Sequence, residues 1–90
     1  MMLADTLRPR LGHGFRLQWE AAQDCHVLLY PEGMVKLNRS AGEILARCDG
    51  QAALARIVAE LESAFQASGL RPEVEQFLEL AQAQRWVVLE

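Results

Sequence analysis

The stretch GMVKLNRSAGEILARCDG, residues 33–50, decides how the chain folds, because two periodicities meet in it. Its first residues have the two-residue period of a strand, and its later apolar residues recur with the spacing of a helix. Asn38 and Ser40 are both able to cap that helix, and Ser40 with Glu43 three residues later fits the capping box. Asp49-Gly50 supplies the left-handed residue that ends it. The stretch therefore predicts a strand that runs directly into a short helix.

The predicted sheet has three strands. Residues 15–20, FRLQWE, alternate between apolar and polar side chains, which is typical of a strand whose dry face carries Trp19. Residues 25–30, CHVLLY, are nearly all apolar, so we expect them to form the central strand. Pro31-Glu32-Gly33 is a turn sequence, and Met34 to Leu37 then form a third strand. That third strand lies at an edge of the antiparallel sheet unless the N-terminal segment covers it.

Two more helices are predicted after this stretch, one from about Ala52 to Ala67 and one from about Pro72 to Arg85. Ser68-Gly69 supplies a stop between them, and a proline suits the first turn of a helix because its missing N–H costs nothing there. Residues 86–89, WVVL, favour a strand whose partner the sequence does not reveal. The apolar residues that we expect the three helices to turn towards the core are Ala41, Ile44, Leu45 and Cys48; Leu54, Ile57, Val58, Leu61 and Phe65; and Val74, Phe77, Leu78 and Ala81.

These elements predict one domain with an α+β fold, a three-stranded antiparallel sheet followed by three helices. The chain has 90 residues, and a chain of that length buries only roughly 60–65% of its unfolded surface, which makes the core small. Residues 1–14 contain Arg8-Pro9-Arg10 and Gly12-His13-Gly14, which resist regular structure, so we expect a flexible N-terminal arm there, with Leu7 and Leu11 docked on the body. Residues 15–90 then form the domain.

The composition of the chain argues against several classes of function. Hydrophobic residues make up 51% of the chain and its net charge is −3, so it offers no basic footprint for nucleic acid. Its apolar runs are too short for a membrane span, and its first residues do not have the pattern of a secretion signal. We therefore expect a cytoplasmic protein that acts away from membranes and keeps both cysteines reduced.

No enzyme site is predicted. Cys25, His26, Cys48 and His13 do not have the spacing of a zinc site, and neighbouring residues such as Cys25 and His26 point to opposite faces of a strand. The glutamates are spread over three helices, and no glycine-rich phosphate loop is followed by the lysine that it requires. We expect neither catalysis nor a metal or cofactor.

Three helices with a β-hairpin are also the layout of winged helix-turn-helix DNA-binding proteins. The third helix would then carry recognition, but it holds Glu73, Glu75 and Glu79 against only Arg71 and Arg85 at its ends. Carboxylates would face phosphates, so DNA binding is disfavoured.

The open edge of the third strand favours a peptide-binding module instead. A peptide could add there as a further strand, and Lys36 is the kind of edge charge that discourages unwanted pairing. Backbone hydrogen bonds alone give little net affinity, so apolar pockets are needed as well. The candidate contact residues are Met34, Val35, Lys36 and Leu37 of the strand and Val74, Phe77, Leu78 and Ala81 of the third helix. The alternative is that these four helix residues belong entirely to the core.

The sequence resembles the PqqD family of pyrroloquinoline quinone biosynthesis over nearly its full length. The residues that carry the resemblance are Leu28 to Gly33 (LLYPEG), Leu37-Asn38, Ser40-Ala41, Ile44-Leu45 and Cys48-Asp49-Gly50, with Arg8-Pro9 upstream and Phe77-Leu78 downstream. The chain departs from the family at Ala52-Ala53, where relatives tend to have a better capping residue, and at Glu73-Val74, which replaces an aspartate-valine pair. Neither departure lies in the edge strand.

The resemblance implies a winged helix-turn-helix-like module of the kind called a peptide recognition element, which is not an enzyme. Such a module would bind the precursor peptide PqqA along the third strand and the C-terminal helix, here Met34 to Leu37 and about Pro72 to Arg85. It would present PqqA to PqqE, a radical S-adenosylmethionine enzyme that cross-links a glutamate and a tyrosine. A homodimer that forms through the same strand edge is the alternative that stays open.

Overall fold

The computed structural model describes residues 3–90. Its elements are the strands β1 (Arg10–Leu11), β2 (Arg16–Glu20), β3 (Cys25–Tyr30) and β4 (Gly33–Lys36), the helices α1 (Arg39–Ala46), α2 (Leu54–Phe65) and α3 (Arg71–Ala83), and a last strand β5 (Val87–Val88). The predicted α+β class, with three antiparallel strands before three helices, is confirmed. A second, two-stranded sheet of β1 and β5 was not predicted.

The main sheet has the order β2-β3-β4, so β3 is the central strand as predicted. Tyr30 lies opposite Gly33, which makes Pro31-Glu32 the two-residue loop of a hairpin. The register then continues to Val27 opposite Lys36. Because β1 pairs with β5 and not with β4, the outer side of β4 is an edge of the sheet.

Helix α1 begins one residue after Asn38, whose side-chain oxygen accepts a hydrogen bond from the Ala41 N–H at 2.8 Å. The predicted capping box of Ser40 and Glu43 is wrong, because an earlier start puts Ser40 inside the first turn. Its hydroxyl donates to Asn38 Oδ1 at 3.2 Å, and the Glu43 carboxylate pairs with Arg47 at 2.8 Å. Asn38 alone therefore fixes the point at which strand becomes helix.

The core lies between the inner face of the main sheet and the three helices. Its largest fully buried side chains are Leu28, Leu45, Leu54, Ile57, Leu61 and Leu78. Each such side chain contributes about 1.5–3 kcal/mol relative to an exposed position. The predicted apolar faces of the helices point inward, but Phe65 and Phe77 stay half-buried. No helix within residues 3–90 is both long and apolar enough to cross a membrane.

The N-terminal and C-terminal segments pair with each other. Arg10 of β1 lies opposite Val88 of β5. The pairing extends beyond both strands, since the Arg8 N–H donates to the Glu90 carbonyl at 2.9 Å and the Gly12 N–H donates to the Trp86 carbonyl at 2.8 Å. The partner of the C-terminal strand, which the sequence did not reveal, is therefore the N-terminal segment.

The predicted docking of Leu7 and Leu11 on the core is confirmed, and Pro9 between them is fully buried. On its other side this segment is held by the Gly50 N–H, which donates to the Pro9 carbonyl at 2.9 Å. The flexibility expected of residues 1–14 stays a prediction, and residues 1 and 2 lie outside the described part of the chain.

The helix ends differ slightly from prediction. Helix α2 runs from Leu54 to Phe65 and not from Ala52 to Ala67 as predicted, and it ends at Phe65 because Gln66 takes a left-handed backbone conformation with φ of 52°. Arg85 is likewise left-handed, with φ of 67°, and α3 ends before it at Ala83. Such conformations are uncommon for residues with a Cβ, so the residue type at these two positions does not predict either helix end.

Candidate functional site

The backbone of β4 presents free hydrogen-bonding groups along its outer side. The Leu37 N–H donates to the His26 carbonyl at 3.0 Å, so this opposed pair is hydrogen-bonded. Hydrogen-bonded and non-hydrogen-bonded pairs alternate in an antiparallel ladder, which makes Val35 the next residue to bond towards β3. Met34 and Lys36 consequently point their N–H and C=O groups away from the sheet.

The side chains of the predicted edge segment fall into two groups. Val35 is half-buried against the core and Leu37 is only 6% exposed. Met34 is 55% exposed, and Lys36 is also exposed. The same two residues that turn their backbone groups outward therefore offer accessible side chains, on the opposite face of the sheet from the core.

A groove of about 330 Å³ begins where β4 ends. It lies between the start of α1, the end of α2 and the start of α3. The residues that line it are Asn38, Ser40, Ala41, Ile44, Leu61, Phe65, Leu70, Glu73, Val74 and Phe77. Most are apolar, and the volume is at the lower end of the range for binding pockets, enough for one or two apolar side chains of a partner.

Specific contacts shape the walls of the groove. The guanidinium of Arg39 lies 4.6 Å from the centre of the Phe65 ring, a cation–π contact that brackets the groove from the start of α1. The Glu62 carboxylate accepts a hydrogen bond from the Leu70 N–H at 3.0 Å. Leu70 precedes α3 and has no side-chain cap, so Glu62 holds the start of that helix against α2.

The structure separates the four predicted residues of α3. Val74 and Phe77 line the groove, although Val74 is only 3% exposed. Leu78 and Ala81 have no exposed surface and belong to the core. The alternative of a purely structural role thus fits Leu78 and Ala81, while Phe77 is the accessible apolar residue of this set. Contact of any of them with a peptide stays a prediction.

Several residues that line the groove were not among the predicted site residues. Ala41, Ile44 and Phe65 are predicted to face the core, and Leu70 follows the predicted stop at Ser68-Gly69. Their periodicity shows only that they face inward. Which inward residues stay accessible depends on how three helices pack, and no local pattern in the sequence carries that information.

The other edge of the sheet is formed by β2, where Trp19 is 52% exposed. Trp19 lies opposite His26 and on the same face of the sheet as Leu17, as the alternation predicts, but this face is not dry at Trp19. Its ring stacks edge-on against His26 at 5.0 Å between centres. His26 in turn fills the space over Gly42 of α1, where a Cβ would lie 2.6 Å from its Nδ1. The imidazole thus packs between sheet and helix.

Cys48 lies in the core, where it is only 4% exposed. Burial, followed by the charge of Asp49, raises the pKa of the Cys48 thiol to about 12. Its sulfur donates to the Ile44 carbonyl at 3.3 Å, which makes it a core group. Within residues 3–90, no three His, Cys, Asp or Glu side chains come together as a metal site would require.

Comparisons with known proteins agree on one family. A family model described as Coenzyme PQQ synthesis protein D (PqqD) matches residues 25–87. A relative from Pseudomonas aeruginosa strain UCBPP-PA14, named PqqA binding protein, is 57% identical over 83 residues, which are 91% of this chain and 90% of the relative. A relative of the same name from Azotobacter vinelandii is 54% identical over 82 residues, covering 90% of this chain and 89% of its own.

A solved structure is also similar. It is the solution NMR structure of the PqqD truncation of Methylobacterium extorquens PqqCD, described as a functional and stand-alone RiPP recognition element. It is 31% identical, covers 91% of this chain and 87% of its own, and superposes with a TM-score of 0.64. The chain therefore belongs to the PqqD family.

Proposed function

We propose that this chain binds the peptide PqqA in pyrroloquinoline quinone biosynthesis and acts there as a recognition element without catalysing a reaction. Relatives more than half identical to it are named PqqA binding protein, and the similar solved structure is described as a RiPP recognition element. These are names of binding proteins and not of enzymes. The fold is, on this proposal, a winged helix-turn-helix-like variant used for peptide recognition.

The observation that carries the proposal is the open edge of β4 beside an apolar groove. Met34 and Lys36 offer two N–H and two C=O groups outward, enough for four hydrogen bonds with an added strand. At a net 0.5–1.5 kcal/mol each, these give about 2–6 kcal/mol before the cost of ordering the peptide. A peptide that pairs with β4 needs further contacts, and the groove that begins at Asn38 supplies them.

The proposed mechanism depends only on where the chain holds the peptide. A peptide held along β4 and α3 has a raised effective concentration at any enzyme that also docks on this chain. We infer that this enzyme is PqqE, and that the chain presents PqqA to it. The test is the rate at which PqqE cross-links PqqA with and without the chain, where a rise on addition supports presentation and an unchanged rate contradicts it.

Strand addition is tested by Lys36→Pro with Lys36→Ala as its control. Proline removes an N–H that points away from β3, a position where edge strands tolerate it, so the fold should persist. We expect affinity for PqqA to fall roughly two- to tenfold in isothermal titration calorimetry, as for the loss of one hydrogen bond. The alanine variant keeps the N–H and should bind nearly as the parent does. Equal binding by both variants would contradict strand addition.

The same edge favours a second candidate function, self-association. A second copy could pair with β4 because its outward groups are free for any strand. Self-pairing and peptide binding would then compete, since one edge accepts one partner at a time. Sedimentation velocity over a range of concentrations tests this: a dimer that dissociates when PqqA is added supports it, and a monomer throughout rejects it.

A further inference from the structure

Residues 3–7, here called the N-terminal strap, are tied to the first turns of α3. The Leu3 N–H donates to Glu75 Oε2 at 2.7 Å, and the Leu3 carbonyl accepts from Arg71 Nη2 at 2.6 Å. Arg71 Nη1 also pairs with the Asp5 carboxylate. Two side chains of α3, Glu75 and Arg71, thus hydrogen-bond to the N–H and the carbonyl of Leu3.

Glu75 is a buried carboxylate that needs hydrogen-bond donors. It is only 7% exposed, and a buried carboxylate is costly unless its oxygens have hydrogen-bond donors. Arg71 lies 3.4 Å from it on the same helix, and the strap N–H provides the shorter contact. The strap therefore supplies the buried Glu75 carboxylate with a hydrogen-bond donor in addition to Arg71.

The strap also caps α2. The residue before that helix is Ala53, which has no side chain able to accept from the first N–H groups. The Leu54 N–H donates to the Leu7 carbonyl at 2.7 Å, and the Ala55 N–H donates to the Asp5 carbonyl at 3.1 Å. Backbone carbonyls of the strap take the place of the missing capping residue. One segment thereby joins the starts of both helices.

The strap and the groove contact different faces of α3. Arg71 and Glu75 are one turn apart, as are Glu73 and Phe77, and the two pairs are offset by two residues. At 3.6 residues per turn, that offset corresponds to a rotation of roughly 200° about the helix axis. The strap contacts one face of α3, Glu73 and Phe77 line the groove from the opposite face, and Val74, which also lines the groove, lies between the two. The strap thus contacts a helix that forms one wall of the groove, although none of residues 3–7 lines the groove itself.

We propose that Arg71 and Glu75 are positioning residues for peptide recognition, which act through the strap by fixing α3 at the distance from α1 and α2 that PqqA requires. This inference rests on the proposed function. The strap holds the groove in its binding shape before the peptide arrives, so the peptide does not have to order α3 itself.

The test measures PqqA affinity of Arg71→Ala, Asp5→Ala and the double variant, with PqqA of Pseudomonas aeruginosa as the probe. Asp5→Ala changes the strap and leaves α3 intact. Arg56→Ala is the control, since it breaks an exposed arginine–glutamate pair on α2, 2.9 Å between Arg56 Nε and Glu60 Oε2. Circular dichroism selects a temperature at which every variant is folded, and calorimetry there gives the dissociation constants.

We expect binding to weaken about tenfold for Arg71→Ala and about twofold for Asp5→Ala. The double variant should bind like Arg71→Ala, because both residues act through one contact. Arg56→Ala should bind like the parent chain. A lowered melting temperature with unchanged affinity of the folded Arg71 variant would show a merely structural role and overturn the inference. Failure of the parent chain itself to bind PqqA would instead overturn the proposed function.

Discussion

Strands β1 and β4 are both short, but one is enclosed and the other is open. The segment around β1 bonds to the C-terminal residues on one side and to Gly50 on the other. Among residues 3–90, strand β4 bonds only to β3, and its outer side carries the outward groups of Met34 and Lys36. The N-terminal and C-terminal segments enclose β1, whereas the outer edge of β4 stays accessible, and this difference separates the scaffold from the proposed binding surface.

The largest effect that we expect is a loss of stability, and it distinguishes two neighbouring residues of α3. Leu78→Ala removes a side chain with no exposed surface and should lower the free energy of unfolding by about 2–5 kcal/mol. Phe77→Ala removes a half-buried groove residue and should cost less stability but more PqqA affinity. Urea unfolding and calorimetry on the same two variants check this. If the Leu78 variant remained as stable as the parent, the assignment of Leu78 to the core would fail.

The enclosed strand is tested by Gly12→Ala. A Cβ at this position would lie 2.4 Å from the backbone carbonyl oxygen of Arg85, which cannot move without displacing the turn before β5. We expect the variant to lose about 1–3 kcal/mol of stability, as for other overpacked sites. His13→Ala, at the exposed next residue, is the control and should be nearly neutral. Equal melting temperatures for the two variants would contradict the closure of the termini.

A smaller effect concerns Cys48, next to the residue that bridges to β1. Its pKa of about 12 in the folded chain exceeds the ordinary value of 9.0. The unfolded chain loses this proton above pH 9 while the folded chain keeps it, so stability falls as pH rises from 9 towards 12. By about pH 10 the loss should reach roughly 1 kcal/mol. Urea unfolding at several pH values checks this, and the slope should be smaller in Cys48→Ala.

The parts of the fold that the sequence predicted depend on local patterns. The bounds of β3, the hairpin around Pro31-Glu32 and the inward face of α1 all follow from alternation, turn residues or helical spacing. The pairing of β1 with β5 does not, because strands of two residues carry no periodicity and their partners lie at opposite ends of the chain. Contacts so distant in sequence leave no local signature.

The candidate site, like the fold, was predictable only where it depends on local sequence patterns. Its strand half follows from the position of β4 after the hairpin, whereas its helical half depends on packing. Periodicity placed Val74, Phe77 and Leu78 on one inward stripe, and only the packing of three helices leaves Phe77 accessible and Leu78 enclosed. The contacts of the strap were not predicted for a similar reason, since most of them are made by backbone N–H and C=O groups, which any sequence provides.

The most direct test of the account follows backbone amides by NMR while PqqA is added. The sheet has two edges with outward amides, those of Met34 and Lys36 on β4 and, by the same alternation, those of Leu17 and Trp19 on β2. We predict that the β4 pair shifts together with Phe77 while the β2 pair stays unchanged. Shifts confined to the β2 pair, or no shifts at saturating peptide, would contradict binding at β4.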